Sequence, residues 1–233
     1  MVISQRFLVI AVLFITCLIV ANIIAVKLVG LGFGPVEVGP LKLFEFLPAA
    51  IIVFPLSYIF GDILTEVYGY RQARRVIWLG FACNAVAVLV FWAAGLIPAA
   101  DAELGEAYDR VLGYTPRLLA ASFSAYLVGE FANSFILAKM KVKTRGRFLW
   151  TRTIGSTVVG QGLDAAVFIA IAFGGALPAA VLGSTIITHW LLKTGYEVVA
   201  TPGTYALVNY LKRKEGIDTY DYDTRFNPLL VTD

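Results

Sequence analysis

The chain contains six apolar stretches, each long enough to cross a lipid bilayer as a helix. About 20 helical residues span a hydrocarbon core of about 30 Å. Only 15% of the 233 residues are charged and 59% are apolar, whereas a soluble domain usually carries about 25% charged residues. We therefore predict an all-α integral membrane protein, with one bundle in residues 1–215 and a cytoplasmic tail in residues 216–233. The six predicted transmembrane helices cover residues 7–28, 47–68, 76–98, 118–138, 153–173 and 177–211.

The sixth stretch is longer than one crossing requires, because a helix rises about 1.5 Å per residue. Thr201-Pro202-Gly203 lies inside it. Proline removes a backbone donor and glycine weakens a helix. We predict one crossing, a break near residues 201–203, and then a kinked or interfacial continuation.

Clusters of basic residues occur in alternate loops, which predicts the orientation. Short cytoplasmic loops collect Lys and Arg, so both termini are expected in the cytoplasm, and a net charge of +3 does not indicate nucleic-acid binding. The loop between segments three and four is acidic, and the one between five and six is uncharged. The clustered basic residues are Arg71, Arg74 and Arg75; Lys139, Lys141, Lys143, Arg145, Arg147 and Arg152; and Lys212, Arg213 and Lys214.

Three further segments carry weaker signals. Residues 30–46 are rich in Gly and Pro with short alternation, which fits an external hairpin or a re-entrant turn. The tail from Gly216 is polar with interleaved aromatic residues, and either a disordered end or a flap over the cytoplasmic mouth fits it. Ala21-Asn22 and Ala132-Asn133 form a faint echo, which would fit a 3+3 inverted repeat with substrate bound between the halves; chance is the alternative.

Charged and amide side chains fall near the middle of several spans. A charge at the bilayer centre costs roughly 2.5 to 3.5 kcal/mol on insertion scales, so such residues normally face protein or a wet cavity. This pattern favours the lining of a small-molecule pathway. The mid-span residues are Asn22, Glu130, Asn133, Gln161, Asp164 and His189.

Residues three or four apart share a helix face, so each of the later helices shows one polar stripe. Glu130 lies with Asn133, and Gln161 with Asp164. On the sixth helix, His189 lies with Lys193 and then Glu197. The alternatives are an internal Lys193–Glu197 ion pair and amide hydrogen bonds across helices. Phe131, Trp190 and Tyr196 are expected to supply flat apolar walls nearby.

Asp62 and Glu66 form another pair on one face, near the cytoplasmic end of segment two. Two neighbouring carboxylates repel unless a cation or a proton compensates them. We expect either a salt-bridge network with Arg71, Arg74 or Arg75, or a role in gating or substrate contact.

Motifs of enzymes and ATPases are missing from the sequence. No GxxxxGK[ST] loop and no HExxH motif occurs, and Cys17 and Cys83 lie inside apolar runs. We expect no enzymatic activity, no cofactor and no metal. A homodimer is compatible with so small a bundle, although no interface is identified.

Several blocks together resemble the queuosine precursor transporter family, a branch of the vitamin uptake transporter group. The resemblance covers nearly the whole chain, although the insertion at residues 32–45 is longer than that family's pattern. It implies six transmembrane helices in the bacterial inner membrane and import of the 7-deazaguanines preQ0 and preQ1 without a dedicated ATPase. The blocks are ANIIAVK at 21–27, FPLSYIFGDILTEVYGYRQARRVIWLGF at 54–81, GEFANSFILAKMK at 129–141, GQGLDAAVF at 160–168 and DTYDYDTRFNPL at 218–229.

A deazaguanine presents a donor edge that a carboxylate can accept, a carbonyl, and a flat face for stacking. We expect Glu130 or Asp164 to accept from the donor edge, with Asn133, Gln161 and Lys193 as donors. Two other functions stay open. One is a substrate-binding subunit that depends on a separate energising ATPase complex, and the other is a membrane-embedded enzyme or assembly factor.

Overall fold

The computed structural model describes residues 4–29, 36–38, 41–43, 47–113 and 116–230 of the chain. These residues are mostly helical, as the sequence predicts, with short strands before the second helix. The helices are α1 Gln5–Ile24, α2 Phe54–Ile63, α3 Tyr70–Gly95, α4 Ala102–Leu112, α5 Pro116–Lys143, α6 Leu149–Phe173 and α7 Ala179–Glu215. The strands are β1 Leu28–Val29, β2 Val36–Val38, β3 Leu41–Leu43 and β4 Leu47–Pro48. A 3₁₀ turn at Ala49–Ile52 precedes α2, and a π-helical turn at Leu64–Tyr68 follows it.

The two ends of the helical region meet on one face of the bundle. Ser4 caps α1 by accepting from the Phe7 amide, and its own hydroxyl donates to Glu215 Oε1 at 2.8 Å. The link between α5 and α6 lies on this face as well, because Arg152 of α6 binds Glu66, whose backbone carbonyl binds Lys141 of α5. We call this the terminal face, and the other end of the bundle the opposite face. That the terminal face is cytoplasmic stays a prediction.

Four helical stretches are long and apolar enough to cross a membrane among the described residues. They are Gln5–Ile24, Ala49–Tyr68, Tyr70–Gly95 and Leu149–Phe173. Helices α5 and α7 have the length to cross too, with 28 and 37 residues. The count of six crossings and the inverted repeat stay predictions.

The region expected to be an acidic loop between segments three and four contains helix α4, so the described part of the chain has seven helices. Asp101 caps α4 by accepting from the Leu104 amide at 2.9 Å, and Arg110 pairs with Glu106 one turn earlier. Asp at the N-cap and an i, i+4 ion pair both favour a helix. Its short length and charge hid it from a search for apolar spans.

Helix α7 corrects the predicted break near residues 201–203, because the helix continues from Ala179 to Glu215. Pro202 removes the backbone donor that would bond the Val198 carbonyl four residues earlier. Packing of α7 against α6 and α2 holds the helix through this position. At about 1.5 Å per residue, a helix of this length extends well beyond a core of about 30 Å.

The segment between α1 and α2 is described in part. Strands β2 and β3 pair antiparallel, and β1 pairs with β4. Residues 30–35, 39–40 and 44–46 of the predicted hairpin or re-entrant turn lie outside the described residues. Most of the insertion at residues 32–45 lies there as well.

Helices α5 and α6 approach closely where two glycines face each other. A Cβ atom on Gly160 would lie 2.8 Å from the Asn133 Cβ and 3.0 Å from the Gly129 carbonyl oxygen. Small residues permit such contacts between membrane helices. The close approach brings Glu130 and Asn133 of α5 alongside Gln161 and Asp164 of α6.

Gly160→Ala is expected to lower thermal stability in detergent by about 1–3 kcal/mol, the usual range for overpacking. The added methyl group meets backbone and Cβ atoms that cannot rotate away. Gly183→Ala in α7 is the control, since a Cβ atom added there would meet nothing within 4 Å. Equal melting temperatures for the two variants would show that this close contact does not hold the bundle.

Candidate functional site: a polar column through the bundle

Polar side chains of four helices are buried together inside the bundle, and none of them is more than 4% exposed. The sequence flagged every one of them, and the structure brings them together. We call them the polar column: Asp62, Glu66, Glu130, Asn133, Gln161, Asp164 and Glu197.

A cavity of about 90 Å³ reaches the column from the opposite face. Its outer walls come from Asn22 near the end of α1, Pro48 before α2, and Ser122 near the start of α5. Its inner wall includes Asp164 and Lys193. Since a water molecule needs roughly 10–15 Å³ of such space, the cavity is large enough for several waters or a polar ligand group.

The lining includes two further predicted residues and different aromatic side chains from those expected. His189 lines the cavity, and Asn22 accepts from the Ser122 hydroxyl at 3.2 Å. The aromatic lining consists of Phe54, Tyr126 and Phe168. The expected aromatic residues make other contacts: Phe131 packs against Trp78, and the Trp190 indole donates to the Val158 carbonyl.

Asp164 and Lys193 form an ion pair at the inner end of the cavity. Lys193 Nζ lies 2.6 Å from Asp164 Oδ2, and the two side chains are 6% and 11% exposed for Asp164 and Lys193 respectively. The ammonium also lies 3.9 Å from the centroid of the Phe54 ring, a cation–π arrangement that stabilises a partly desolvated cation. Lys193 therefore pairs across helices with Asp164, and the internal pair with Glu197 that the sequence allowed does not form.

Below this pair, the centre of the column is rich in carboxylates. Asn133 Nδ2 donates to Asp62 Oδ1 at 2.6 Å. Glu130 lies against α2, since a Cβ on Gly61 would be 3.0 Å from Glu130 Oε2. Several polar atoms in this region have no hydrogen-bond partner within the described part of the protein: Tyr58 Oη, Asp62 Oδ2, both oxygens of Glu130, Asn133 Oδ1, Thr157 Oγ1, both amide atoms of Gln161 and both oxygens of Glu197.

These groups raise the free energy of the folded protein in this arrangement, because an unpartnered buried polar group costs about 1–3 kcal/mol and a charged one more. Buried polar groups in proteins are nearly always hydrogen-bonded to protein or water. A clustering of so many marks a place where a polar ligand or water belongs.

Glu66 closes the column toward the terminal face. Its carboxylate accepts from Arg152 Nε and Nη2, each at 2.7 Å, which is the strong bidentate geometry. Lys212 Nζ lies 2.6 Å from Oε1 and Lys141 Nζ lies 3.6 Å from it. We call these four residues the Glu66 network.

The network corrects the partners expected for Glu66. Arg71, Arg74 and Arg75 are nearest in sequence, but Gly69 turns the chain with φ of 86° before α3 starts. Arg71 is exposed, and the Arg74 guanidinium donates to backbone carbonyls of the tail. The true partners come from α5, α6 and α7, which the bundle brings to the same point.

The tail extends the network. Asp218 Oδ1 lies 2.6 Å from Lys141 Nζ and 2.9 Å from Lys212 Nζ. Partial burial alone would raise the pKa of Asp218, but the hydrogen bonds and charges of these two lysines hold it below its usual range. At neutral pH Asp218 is therefore an anion, and its stabilising contribution would be lost only as the pH falls through that lowered value.

Further contacts fix the tail against the start of α3. The Asp221 carboxylate accepts from the Tyr70 amide at 3.0 and 3.2 Å, as an acidic group at a helix N-terminus should. Arg74 Nη1 donates to the carbonyls of Arg225 and Asn227, each at 2.9 Å. Residues 218–227 thus lie across the terminal face.

Sequence reasoning missed Tyr58, Lys141, Arg152 and Lys212 as members of this site. The three basic residues were counted as loop charges because they fall at the ends of apolar runs. The structure identifies them by their burial. Lys141 and Arg152 are each 1% exposed, and a long basic side chain at a helix end is buried to this extent only with an anionic partner.

Comparison with known proteins supplies the class. Residues 48–207 match the model of a family described as "Putative vitamin uptake transporter". The chain belongs to the vitamin uptake transporter family. A Bacillus subtilis (strain 168) protein named "Probable queuosine precursor transporter" is 27% identical over 166 residues, covering 70% of this chain and 72% of that protein. No solved structure matches the chain significantly.

Membership of the vitamin uptake transporter family indicates that the chain is a membrane transporter rather than an enzyme. The cavity and the polar column are then the natural candidates for its transport pathway. The match begins at residue 48 and ends at residue 207, so it includes the column from Asp62 to Glu197, and it excludes Lys212 and the tail.

Glu66→Gln is expected to destabilise the purified transporter by about 3–5 kcal/mol, because it leaves buried basic groups without their anion. In a chain of this size that corresponds to a fall of about 6 °C or more in melting temperature.

Glu106→Gln provides the matched comparison, because Glu106 pairs with Arg110 at side-chain exposures of 71% and 74%. Exposed pairs contribute about 0–1 kcal/mol. Equal melting temperatures for Glu66→Gln and Glu106→Gln would show that the Glu66 network does not hold the bundle closed.

Proposed function

We propose that this transporter imports queuosine precursors, the 7-deazaguanines preQ0 and preQ1, across the bacterial cytoplasmic membrane for tRNA modification. Transport is secondary or facilitated and uses no dedicated ATPase. The observation that carries the proposal is a cavity that reaches the Asp164–Lys193 pair inside the bundle, beside buried carboxylates that have no hydrogen-bond partner among the described residues. The name of the B. subtilis relative supports the choice of substrate.

The chemistry of the column suits a deazaguanine. Its ring N–H and exocyclic amine form a two-donor edge, and a carboxylate accepts such an edge through both oxygens. Glu130 has both oxygens unpartnered and 0% exposure. Gln161 and Lys193 can donate to the substrate carbonyl, and Asp164 pairs with Lys193.

The flat ring of the substrate can stack on aromatic side chains that line the cavity. Phe54, Tyr126 and Phe168 line the cavity above the column. Stacking on aromatic rings tolerates small substituents at the ring edge, so preQ0 and preQ1 would both enter. Asn133 donates to Asp62 in this arrangement and presents its carbonyl oxygen to the centre.

The two ends of the column differ, as alternating access requires. The cavity leads from the opposite face, whereas the Glu66 network and the tail cover the terminal face. Import then needs Glu66 to separate from Arg152 or Lys212 while the cavity side closes. The tail acts as a latch on this gate, because Asp218 binds both lysines of the network.

Uptake in cells unable to make preQ0 tests the function. Such cells are supplied with low external preQ0 or preQ1, with or without expression of the chain, and queuosine in their tRNA is measured. The proposal predicts queuosine only with expression. Its absence despite verified membrane insertion of the protein would refute the proposal.

Purified protein in liposomes separates autonomous transport from a dependent substrate-binding subunit. We expect uptake of unmodified labelled precursor without ATP or any added protein. Binding without uptake would favour the subunit, and recovery of a chemically altered precursor would favour an enzyme.

Glu130→Gln and Asp164→Asn are each expected to weaken precursor binding about tenfold or more, since a lost charge-assisted hydrogen bond is worth about 1.5–3 kcal/mol. Affinity is measured by competition in liposome uptake. Glu103→Gln, on the exposed face of α4, should leave affinity unchanged. Wild-type affinity in both column variants would remove them from the substrate site.

Asp218→Asn is expected to loosen the gate. Asp218 is 43% exposed, so its ion pairs are screened and worth about 0.5–1 kcal/mol, or a two- to fivefold change in opening. Opening is measured by maleimide labelling of Thr157→Cys, with Cys17 and Cys83 replaced by alanine, because Thr157 is fully buried between the gate and the centre.

Asp223→Asn serves as the control, as it removes the same charge from an exposed position in the same tail. Labelling should be faster in Asp218→Asn only. Equal rates in the two variants would show that Asp218 does not hold the gate closed.

A further inference from the structure

The centre of the polar column holds more negative than positive charge. Among the described residues, Asp62, Glu130 and Glu197 are at most 1% exposed and make no salt bridge, unlike Glu66 and Asp164. Three carboxylate anions without a cation are not stable at this depth, since even one uncompensated charge is costly. Bound protons or bound cations must offset this charge.

Asp62 and Glu197 lie on two helices, α2 and α7, that pack against each other within this centre. Both carboxylates are buried, with exposures of 0% for Asp62 and 1% for Glu197. Asn133 donates to Asp62 Oδ1, which leaves Asp62 Oδ2 and both oxygens of Glu197 without a partner. Two carboxylates in such a setting share a proton, because both cannot ionise together.

The other titratable groups around the pair are accounted for on each neighbouring helix. On α2, Tyr58 is a neutral phenol. Glu66 in the following turn is compensated by Arg152, Lys141 and Lys212. On α6, Asp164 is compensated by Lys193 of α7. Glu130 of α5 is the remaining carboxylate, and under the proposed function it receives the donor edge of the substrate. Helix α1 contributes apolar Phe14 at this level.

We propose that Asp62 and Glu197 bind the coupling proton and that the transporter is a proton symporter. This inference rests on the proposed function and adds its energy source. A proton enters from the opposite face with substrate, is shared by the two carboxylates, and leaves to water at the terminal face with the substrate.

A proton suits this pair better than a sodium ion. Sodium sites in transporters use backbone carbonyls freed by unwound helices, whereas α2 passes after Asp62 into a π-helical turn and α7 is continuous past Glu197. The described residues contain no group of three or more acidic, histidine or cysteine side chains placed to hold a metal ion.

The pair also lies where a proton can control the gate. Helix α2 leads from Asp62 into the turn that carries Glu66, and α7 carries both Glu197 and Lys212. A protonated pair lets α2 and α7 stay together, and with them the Glu66–Lys212 contact of 2.6 Å. Once the proton leaves, like-charge repulsion across the pair favours separation of the same two helices. Separation of α2 and α7 and release of the proton to the terminal side therefore occur together.

Full-length protein in liposomes tests the inference with labelled preQ0, whose nitrile carries no charge. Two readouts are compared: counterflow exchange without any gradient, and net accumulation driven by a pH gradient, acidic outside, with the membrane potential clamped by potassium and valinomycin. With one proton per substrate, a gradient of one pH unit should drive accumulation toward about tenfold. A protonophore should abolish it, and a sodium gradient should not replace it.

Glu197→Gln should retain counterflow yet accumulate substrate no further than equilibrium, a ratio of about 1 by the same relation. Glu197→Asp keeps a titratable group and should restore part of the accumulation. Glu106→Gln on the exposed side of α4 should behave as wild type.

Each failure is distinguishable. Wild-type counterflow with no response to the pH gradient, or accumulation driven by sodium, would overturn the proton inference and leave the proposed function intact. Full accumulation by Glu197→Gln would overturn the assignment to this pair. An absence of counterflow in the wild type would overturn the proposed function, and this inference with it.

Discussion

The ionic contacts around Glu66 connect four parts of the bundle at one point. The carboxylate follows α2, Lys141 ends α5, Arg152 begins α6 and Lys212 lies near the end of α7. Both Glu66 and Arg152 are essentially inaccessible to solvent, so removing either one would leave the other as an uncompensated buried charge. Because this single contact set holds the terminal face shut, the cavity on the other side becomes a dead end rather than a pore.

The carboxylates in the rest of the polar column are of two kinds, those paired with a cation and those without one. Asp164 and Lys193 form an ion pair at the inner end of the cavity. Asp62, Glu130 and Glu197 form no ion pair among the described residues and are at most 1% exposed. A transporter needs carboxylates without a partner in the protein, because groups that are already paired bind a substrate or a proton weakly. The close α5–α6 approach at Gly160 keeps the two kinds of group within one bundle.

The sequence predicts the helical membrane fold and nearly all of the column, for a physical reason. Apolar length and the rarity of polar residues at membrane depth are properties of single helices, so Glu130, Gln161 and Asp164 stand out without any structure. Partners across helices depend on the bundle, which explains why Lys193 was open to pairing with Glu197 and why Glu66 was assigned to the arginines next in sequence. Helix α4 was not predicted because it is short and charged. The predicted break at Pro202 was wrong because packing against α6 and α2 holds α7 together where Pro202 removes one hydrogen bond.

The central claim is that the substrate binds between the cavity and the closed Glu66 network. An experimental structure of the purified protein with preQ0 tests it most directly. We predict ligand density inside the bundle, stacked near Phe54, with its donor edge toward Glu130 and the Glu66 network intact on the terminal side. Density confined to another surface, with the column unchanged and empty, would contradict the account.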